Sequence, residues 1–351
     1  MSDHILISTR KGLFDLRRAS KDNWKIKGTH FLGSPVTFTL PTEAAWHVSI
    51  TDGHFGPKMH ASTDEGASWK EAVAPALPET EEQSVEMVWV MADDGAGRLW
   101  AGTLPGALFT SEDNGTTWQL NRALWNDPTR GEWSGGGYDE PGIHSICIDP
   151  RNRDHVTIAI SIGGVWRTED GGQTWELRTE GLRADYTPPS VAYDGVQQDP
   201  HQVVQCASVP DTLWMQHHNG IFRSTNLGKN WSELDQHQPS NFGFAVAVHP
   251  RNPDRAWFVP GVKDEYRYPK DGKLVVTRTD DGGKSFAILS NGLPKAASYD
   301  LIYRHALAID ESGERLVMGS TTGGAWITED GGDFWHQLPE RFPPIAAVRF
   351  V

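Results

Sequence analysis

Short apolar runs alternate with turn residues along the whole chain, and apolar positions with a helical period are not found. Asn-Gly and Gly-Gly pairs stand between such runs, as at Gly163 and Gly164, and predict tight β-hairpins. A further short strand precedes each hairpin, for example over residues 144–149 and 305–310. The pattern therefore predicts an all-β protein made of repeated groups of strands.

A polar octapeptide of the form S/T-x-D-x-G-x-x-W follows the predicted hairpins. The first copy runs from Ser62 to Trp69, and five more copies begin at Ser111, Thr168, Ser224, Thr279 and Thr328. The Asp carboxylate can accept backbone N–H bonds in a tight turn, and the Gly can supply a positive φ. A degenerate seventh copy spans Ala19 to Trp24.

Each octapeptide comes after the third of four predicted strands, and four antiparallel strands are the unit of a β-propeller blade. Residues 345–351 form a predicted first strand, and residues 5–16 and 23–27 supply the other strands of that blade. We therefore expect a seven-bladed β-propeller over residues 1–351, a single domain closed by pairing the C-terminal strand with the N-terminal hairpin. Six blades, with the degenerate copy as a cap, is the alternative.

The octapeptides resemble the BNR, or Asp-box, repeats of sialidases, sortilin-type receptors and photosystem assembly factors. This resemblance covers essentially the whole chain and implies that the octapeptides are structural turns on the face away from the active site. Sialidases carry an Arg-Ile-Pro motif that this sequence lacks. Arg10 is the nearest stand-in for its arginine, with Arg267 and Arg304 as candidate partners in binding a carboxylate. A classical sialidase is therefore not expected.

The charge balance limits the classes of partner that we expect the protein to bind. The formal net charge is −14, which argues against nucleic acid and anionic membranes as partners. No apolar run has the roughly 18 residues of a membrane span, and the N-terminal residues do not form a signal-peptide pattern. With two cysteines, a reduced cytoplasmic location is predicted.

Long segments interrupt the repeat at residues 121–142, 179–200 and 260–272, and such loops on a rigid scaffold often carry sites. All seven tyrosines lie in or beside the long segments, with Tyr138 as a candidate ligand contact. Two interpretations remain open. The aromatic side chains bind an organic ligand such as a sugar, or they pack the long loops against the blades.

Three histidines share one predicted position in the first strands of their blades: His144, His201 and His305. Three imidazoles with a carboxylate would suit a divalent metal such as Zn or Mn. The alternatives are that each imidazole hydrogen-bonds the neighbouring blade, or that the site is polar and holds no metal. Glu86 lies two residues above the shared position in another blade, and Tyr303 holds the matching place beside His305.

These residues predict a hydrolase or lyase that acts on a carbohydrate or similar polar organic ligand. Glu86, Tyr303 and His217 are the candidate acid–base groups. The candidate substrate contacts are Arg10, Tyr138, Arg267 and Arg304. A divalent metal on the three histidines is the candidate cofactor. The alternative is a non-enzymatic binding or assembly module whose long loops grip a protein partner.

Overall fold

Strands make up nearly all the regular structure of the computed structural model, which describes residues 1–21, 23–234 and 239–351, with the backbone alone at His54. Asp22, in the degenerate octapeptide, lies outside the described residues. The single α-helix in the described part of the chain, α1, spans Arg122–Trp125. Short 3-10 helices span Gly53–Phe55, Arg130–Glu132, Gly195–Gln197, Lys270–Gly272 and Arg304–Ala306. The helices that the structure describes include none long and apolar enough to cross a membrane.

The strands follow one another at short intervals. In chain order they are β1 (His4–Thr9), β2 (Gly12–Ser20), β3 (Asn23–His30), β4 (Val36–Pro41), β5 (Trp46–Thr51), β6 (Pro57–Ser62), β7 (Lys70–Ala72), β8 (Met87–Asp93), β9 (Leu99–Leu104), β10 (Leu108–Ser111), β11 (Gln119–Leu120), β12 (Ile143–Ile148), β13 (Val156–Ile160), β14 (Gly164–Thr168), β15 (Glu176–Leu177), β16 (Pro200–Gln205), β17 (Leu213–His217), β18 (Ile221–Ser224), β19 (Ser232–Leu234), β20 (Gly243–Val248), β21 (Ala256–Pro260), β22 (Val276–Thr279), β23 (Ala287–Leu289), β24 (Leu307–Ile309), β25 (Leu316–Gly319), β26 (Ala325–Thr328), β27 (His336–Gln337) and β28 (Ile345–Phe350).

The described strands form seven sheets of four strands each. Six sheets follow chain order: β4–β7, β8–β11, β12–β15, β16–β19, β20–β23 and β24–β27. In the seventh, the C-terminal strand β28 pairs antiparallel with β1, ahead of β2 and β3. The protein is a seven-bladed β-propeller of four-stranded antiparallel blades, as predicted, with one blade shared by the two ends of the chain. The six-bladed alternative is wrong.

The chain divides into two compact units, Met1–Gly33 with Val204–Val351, and Ser34–Val203. In the first unit, Ile7, Trp257 and Trp326 are among the buried side chains of the core. In the second unit, Trp100 and Ile158 are among the buried side chains of the core. The second strands β13 and β21 are buried on both faces, and this is why each is a mostly apolar run rather than an alternating pattern.

The octapeptide turns repeat one hydrogen-bond arrangement. In the first turn, the buried Ser62 hydroxyl donates to Asp64 Oδ1 at 2.7 Å and accepts the Gly66 N–H at 2.8 Å. The Ser68 N–H and hydroxyl donate to the two Asp64 oxygens at 2.8 and 2.6 Å. In the other five turns, the hydroxyl oxygen of the first residue likewise accepts a hydrogen bond from the Gly N–H. These local hydrogen bonds fit the structural role that we expect for the turns.

Candidate functional site

A β-bulge recurs in the first strands of five sheets: β4, β8, β12, β20 and β28. The residues at the bulges are Thr37, Trp89, His144, Phe244 with Ala245, and Ala346. An extra residue at a bulge locally bends the strand and re-aims its side chain. These positions therefore carry side chains that ordinary strand alternation would direct elsewhere.

The three predicted metal ligands have different backbone settings. His144 lies at the bulge of β12, whereas His201 is the second residue of β16. His305 precedes β24, in the 3-10 helix Arg304–Ala306, and its carbonyl accepts a hydrogen bond from Arg349. All three imidazoles are buried. The three histidines that share one predicted position in the repeat therefore lie in three different local environments.

Within the second unit, the His144 ring packs edge-on against Trp89, with centroids 5.5 Å apart. The half-exposed Tyr138 packs against the same indole at 5.3 Å. A Cβ on Gly142 would lie 2.4 Å from the Trp89 ring, so glycine is needed for this close approach. The Ser145 hydroxyl accepts the Val203 N–H and lies 3.0 Å from His144 Nδ1, so it can donate its proton there. Nδ1 of His144 is therefore already engaged.

The buried pair Asp199 and His201 is a second polar group of this unit. Asp199 Oδ2 lies 3.5 Å from His201 Nε2. Asp199 also contributes, after burial, to raising the pKa of Tyr186. The pair offers one carboxylate oxygen and one imidazole nitrogen, both of which are atom types that can bind a metal ion. His201, one of the three predicted ligands, belongs to this pair.

In the first unit, two guanidinium groups pack over one aromatic ring. The Arg304 Cζ lies 5.3 Å from the centroid of Phe244, and the Arg267 Cζ lies 5.4 Å from it. The Tyr303 ring meets the same phenyl edge-on at 4.9 Å. Phe244 and Arg304 are buried, so these contacts are partly shielded from water. We call Phe244, Arg267, Tyr303 and Arg304 the arginine–aromatic cluster.

Arg267 comes from the predicted insertion and is held by several groups. Its Nε donates to the carbonyl and to Oδ1 of Asp264, both at 3.1 Å. Burial disfavours the charged guanidinium, but hydrogen bonds to Tyr303 and Asp264 outweigh this and raise the pKa of Arg267. The guanidinium therefore remains a positive charge fixed beside a tyrosine hydroxyl.

Exposed tyrosines stand around this cluster in the sequence. Tyr266 and Tyr268 flank Arg267, and Tyr299 is 68% exposed. The rings of Tyr268 and Tyr299 lie 6.5 Å apart. The Ser298 N–H donates to the Gly272 carbonyl at 2.9 Å, which ties the insertion to the segment that leads into Tyr303. The arrangement offers fixed charge beside accessible aromatic faces, a combination suited to an anionic organic ligand.

Comparison with known proteins supports the fold. No protein-family model matches the chain. Over 79 residues it is 30% identical to an oligoxyloglucan-reducing end-specific xyloglucanase of Emericella nidulans, a match that covers 22% of this chain and 9% of that enzyme. An ancestral GH74 enzyme aligns with a TM-score of 0.60 and 16% identity, over 86% of this chain and 38% of the other.

A second solved structure, YCF48 bound to D1 peptide, aligns with a TM-score of 0.56 and 16% identity, over 95% of this chain and 88% of the other. In fold, the chain is similar to both. At such identities the likeness concerns architecture alone. This chain spans 38% of the GH74 enzyme and 9% of the xyloglucanase, so their activities do not transfer with the fold.

The remaining predicted residues lie in varied settings. Glu86 is exposed, and its N–H donates to the Leu104 carbonyl at 2.8 Å. Arg10 is exposed in the turn between β1 and β2, and its N–H donates to the Pro344 carbonyl. His217 is fully buried, and its ring packs against Phe222 at 5.2 Å. The acid–base role of His217 stays a prediction.

Sequence reasoning missed Phe244, Trp89 and Asp199. Phe244 and Trp89 look like ordinary core residues of a first strand, because a bulge leaves no mark in the apolar pattern. A usable signal was the departure from the repeat, since a large aromatic stands where other blades carry Thr or His. Asp199 had a plainer signal, because it lies two residues before His201 in the sequence.

Proposed function

We propose that this protein is a propeller hydrolase or lyase for a carbohydrate, or similar polar organic molecule, that carries a carboxylate. The observation that supports this most directly is the pair of guanidinium groups over Phe244. Each guanidinium group is a planar donor that can bind a carboxylate through two parallel hydrogen bonds, and the Tyr303 hydroxyl is a further donor. The carbohydrate class is supported by the likeness to GH74 propellers and by the segment similar to a xyloglucanase.

Both reactions use the same chemistry at the arginine–aromatic cluster. In a lyase, an arginine bound to the carboxylate makes the proton on the adjacent carbon easier to remove. In its phenolate form, Tyr303 would take that proton, become the neutral phenol, and return the proton to the leaving oxygen as the C–O bond breaks. In a hydrolase, Tyr303 would assist protonation of the leaving oxygen while water attacks the sugar carbon. Arg267, fixed by Asp264, would supply a positive charge next to Tyr303 in either case.

Turnover of an acidic and a neutral polysaccharide tests the proposal. We expect polygalacturonate, and not xyloglucan, to be cleaved. Products that absorb in the ultraviolet because of a new C=C bond would identify a lyase, and new reducing ends without that absorbance would identify a hydrolase. Tyr303→Phe should lower kcat about 100-fold or more. Arg304→Gln should lower kcat/KM, with the effect divided between kcat and KM.

Tyr193→Phe is the matched control, because Tyr193 is exposed and lies in the second unit. It should leave turnover of polygalacturonate unchanged. The proposal fails if the purified protein neither binds nor cleaves acidic polysaccharides. It also fails if Arg304→Gln and Tyr303→Phe retain full activity, because the cleavage would then belong to another part of the molecule.

A non-enzymatic binding module is the second candidate, and the likeness to YCF48 bound to D1 peptide favours it. The same two arginines would hold the C-terminal carboxylate of a peptide. Peptides with a free and an amidated C-terminus separate the two functions. Binding of the free form alone, lost in Arg304→Gln and accompanied by no turnover of polysaccharides, would favour the binding module.

We also propose that Asp199 and His201 bind a divalent metal, Zn or Mn. Two ligands at about 2.1 Å from a tetrahedral ion lie roughly 3.4 Å apart, and the observed separation of their ligand atoms is 3.5 Å. Elemental analysis of the purified protein should find the metal, and His201→Ala should lose it. His144→Ala is the control and should keep it, since His144 is not one of the two proposed ligands and its ring packs against Trp89. Equal metal content in all three proteins would exclude this site.

A further inference from the structure

A cavity of about 550 Å³ opens in the first unit, beside the sheet β24–β27. Its size falls within the range of small-molecule sites. Apolar and polar side chains share the lining, and its members include Pro294, Asp300, Trp326, Leu338, Pro339 and Glu340. No residue of the arginine–aromatic cluster is part of this lining among the described residues. The cavity is therefore a separate candidate site.

Asp300 is held in the cavity as a carboxylate. Its Oδ2 accepts the Ser298 hydroxyl at 2.7 Å, and its Oδ1 accepts the hydroxyls of Ser320, at 2.7 Å, and Thr322. The Ser320 oxygen in turn accepts the N–H groups of Thr322 and Gly324 at 3.2 and 3.1 Å. The Ser320 proton is therefore free to point at Asp300. Three hydroxyl donors around one carboxyl group fit an ionised, acceptor-only Asp300.

Glu340 supplies a second carboxylate, and one of its oxygens lacks a hydrogen-bond donor in the described part of the chain. Its Oε2 atom is buried, and no group in the described part of the chain donates a hydrogen bond to it. A buried acceptor without a donor is costly, so a ligand that donates there gains more than it would at a satisfied group. A charged donor gains most, because charge-assisted hydrogen bonds are about twice as strong as neutral ones.

We propose that this cavity binds a small ligand with a protonated amine on an aliphatic stem. The ammonium group donates to Asp300 and Glu340, and the stem lies along Pro294, Leu338 and Pro339. The exposed Arg341 also lines the cavity, so two carboxylates and one guanidinium leave a single net negative charge. A monoamine matches this charge, and a diamine brings an additional positive charge close to Arg341.

Titration of the full-length protein with n-butylamine at neutral pH tests this site, with n-butanol as the uncharged analogue of the same shape. We expect saturable shifts in the NMR signals of the cavity residues with butylamine, and at least tenfold weaker binding of butanol. Glu340→Gln should weaken butylamine binding about tenfold or more. Glu311→Gln, an exposed carboxylate of the same unit, is the control and should leave binding unchanged.

Absence of saturable butylamine binding would overturn the inference. Equal affinity for butanol would also overturn it, as would an equal loss in Glu311→Gln, because either result would indicate contacts that do not depend on the two cavity carboxylates. Asp300→Asn, with its melting temperature checked, provides a second variant. Arg304→Gln should leave butylamine binding intact, so failure of this site and failure of the proposed function can be told apart.

Discussion

The octapeptide turns and the bulge positions both recur from sheet to sheet, but only the turns repeat their residues. Each turn places a Ser or Thr, an Asp or Asn, and a Gly in the same order, and each forms the same contact to the Gly N–H. The bulges carry Thr37, Trp89, His144 and Phe244 in four different sheets. A repeated position with a repeated residue builds the scaffold, and a repeated position with a changed residue can build a site.

The two regions also differ in the range of their contacts. A turn closes within a few residues, as between Ser62 and Ser68. The arginine–aromatic cluster joins Phe244 to Arg267 in the insertion and to Arg304 in a 3-10 helix. Substitutions in a turn should therefore change stability alone, whereas substitutions in the cluster should change both stability and ligand binding.

The largest effect is expected at Phe244, where the two properties meet. Phe244→Ala removes a buried ring that contacts Arg267, Tyr303 and Arg304, and should lower the free energy of unfolding by about 3–5 kcal/mol. Denaturant unfolding measures this, and polygalacturonate binding should fall with it. Phe55→Ala is the control, since Phe55 is 75% exposed, and should change stability by about 0.5 kcal/mol or less. Equal effects at the two positions would contradict this account.

A glycine of the first octapeptide turn should have the next largest effect, on stability alone. Gly66 has a φ of +83°, and a Cβ there would lie 2.9 Å from the Trp46 ring. Gly66→Ala combines a cost of about 1–2 kcal/mol for the left-handed backbone with overpacking of about 1–3 kcal/mol. Gly95→Ala separates the two, because its φ is +74° and no atom lies within 4 Å of its Cβ position. If Gly95→Ala costs as much in thermal unfolding, the packing contribution is refuted.

The sequence predicts the octapeptide turns more completely than it predicts the arginine–aromatic cluster. The octapeptides predict their turns, the count of seven blades and the pairing of β28 with β1, because each depends on local pattern and spacing. The sequence also points to Arg267, Arg304 and Tyr303 as site candidates, but not to their common contact. Phe244 joins them through a bulge, and a bulge depends on how two strands pair rather than on residue type.

The turns hold a further feature that the pattern does not predict. The residue before the Gly also has a positive φ, as at Glu65, Asn114 and Leu227. Three of the six copies place Gly there, which spares them the steric cost. The sequence therefore contains the signal as a Gly-Gly pair, but in half of the copies other residues hide it.

A hydroxyl at the start of each turn gives the third prediction. Ser111 is buried, donates to Asp113 at 2.7 Å and accepts the Gly115 N–H at 2.8 Å. Ser111→Ala leaves that N–H without its partner and should lower the free energy of unfolding by roughly 1–3 kcal/mol. Turnover or ligand binding should not change. A loss of binding equal to that of Arg304→Gln would show that the turns and the site are not separate.

The smallest effect is a shift in one titration. Hydrogen bonds from the Ser68 hydroxyl, the Ser68 N–H and Ser62 lower the pKa of Asp64 to about 2. The unfolded value is about 3.9, so the folded state favours the carboxylate, and this contribution to stability is present above pH 4 and is lost as the pH falls towards 2. Ser68→Ala removes the largest of these contributions and should raise the pKa of Asp64, measured by NMR of the carboxyl carbon.

Thr63→Ala is the matched control for that titration, because Thr63 is an exposed neighbour of Asp64 within the same turn. It should leave the pKa of Asp64 unchanged, whereas Ser68→Ala moves it towards the unfolded value. An unchanged pKa of Asp64 in Ser68→Ala would mean that the backbone N–H of Ser68 and the Ser62 hydroxyl are enough to hold the carboxylate. The seventh residue would then be dispensable to the turn, which would account for Phe334 at that place in the last copy, where the N–H still donates to Asp330 at 3.0 Å.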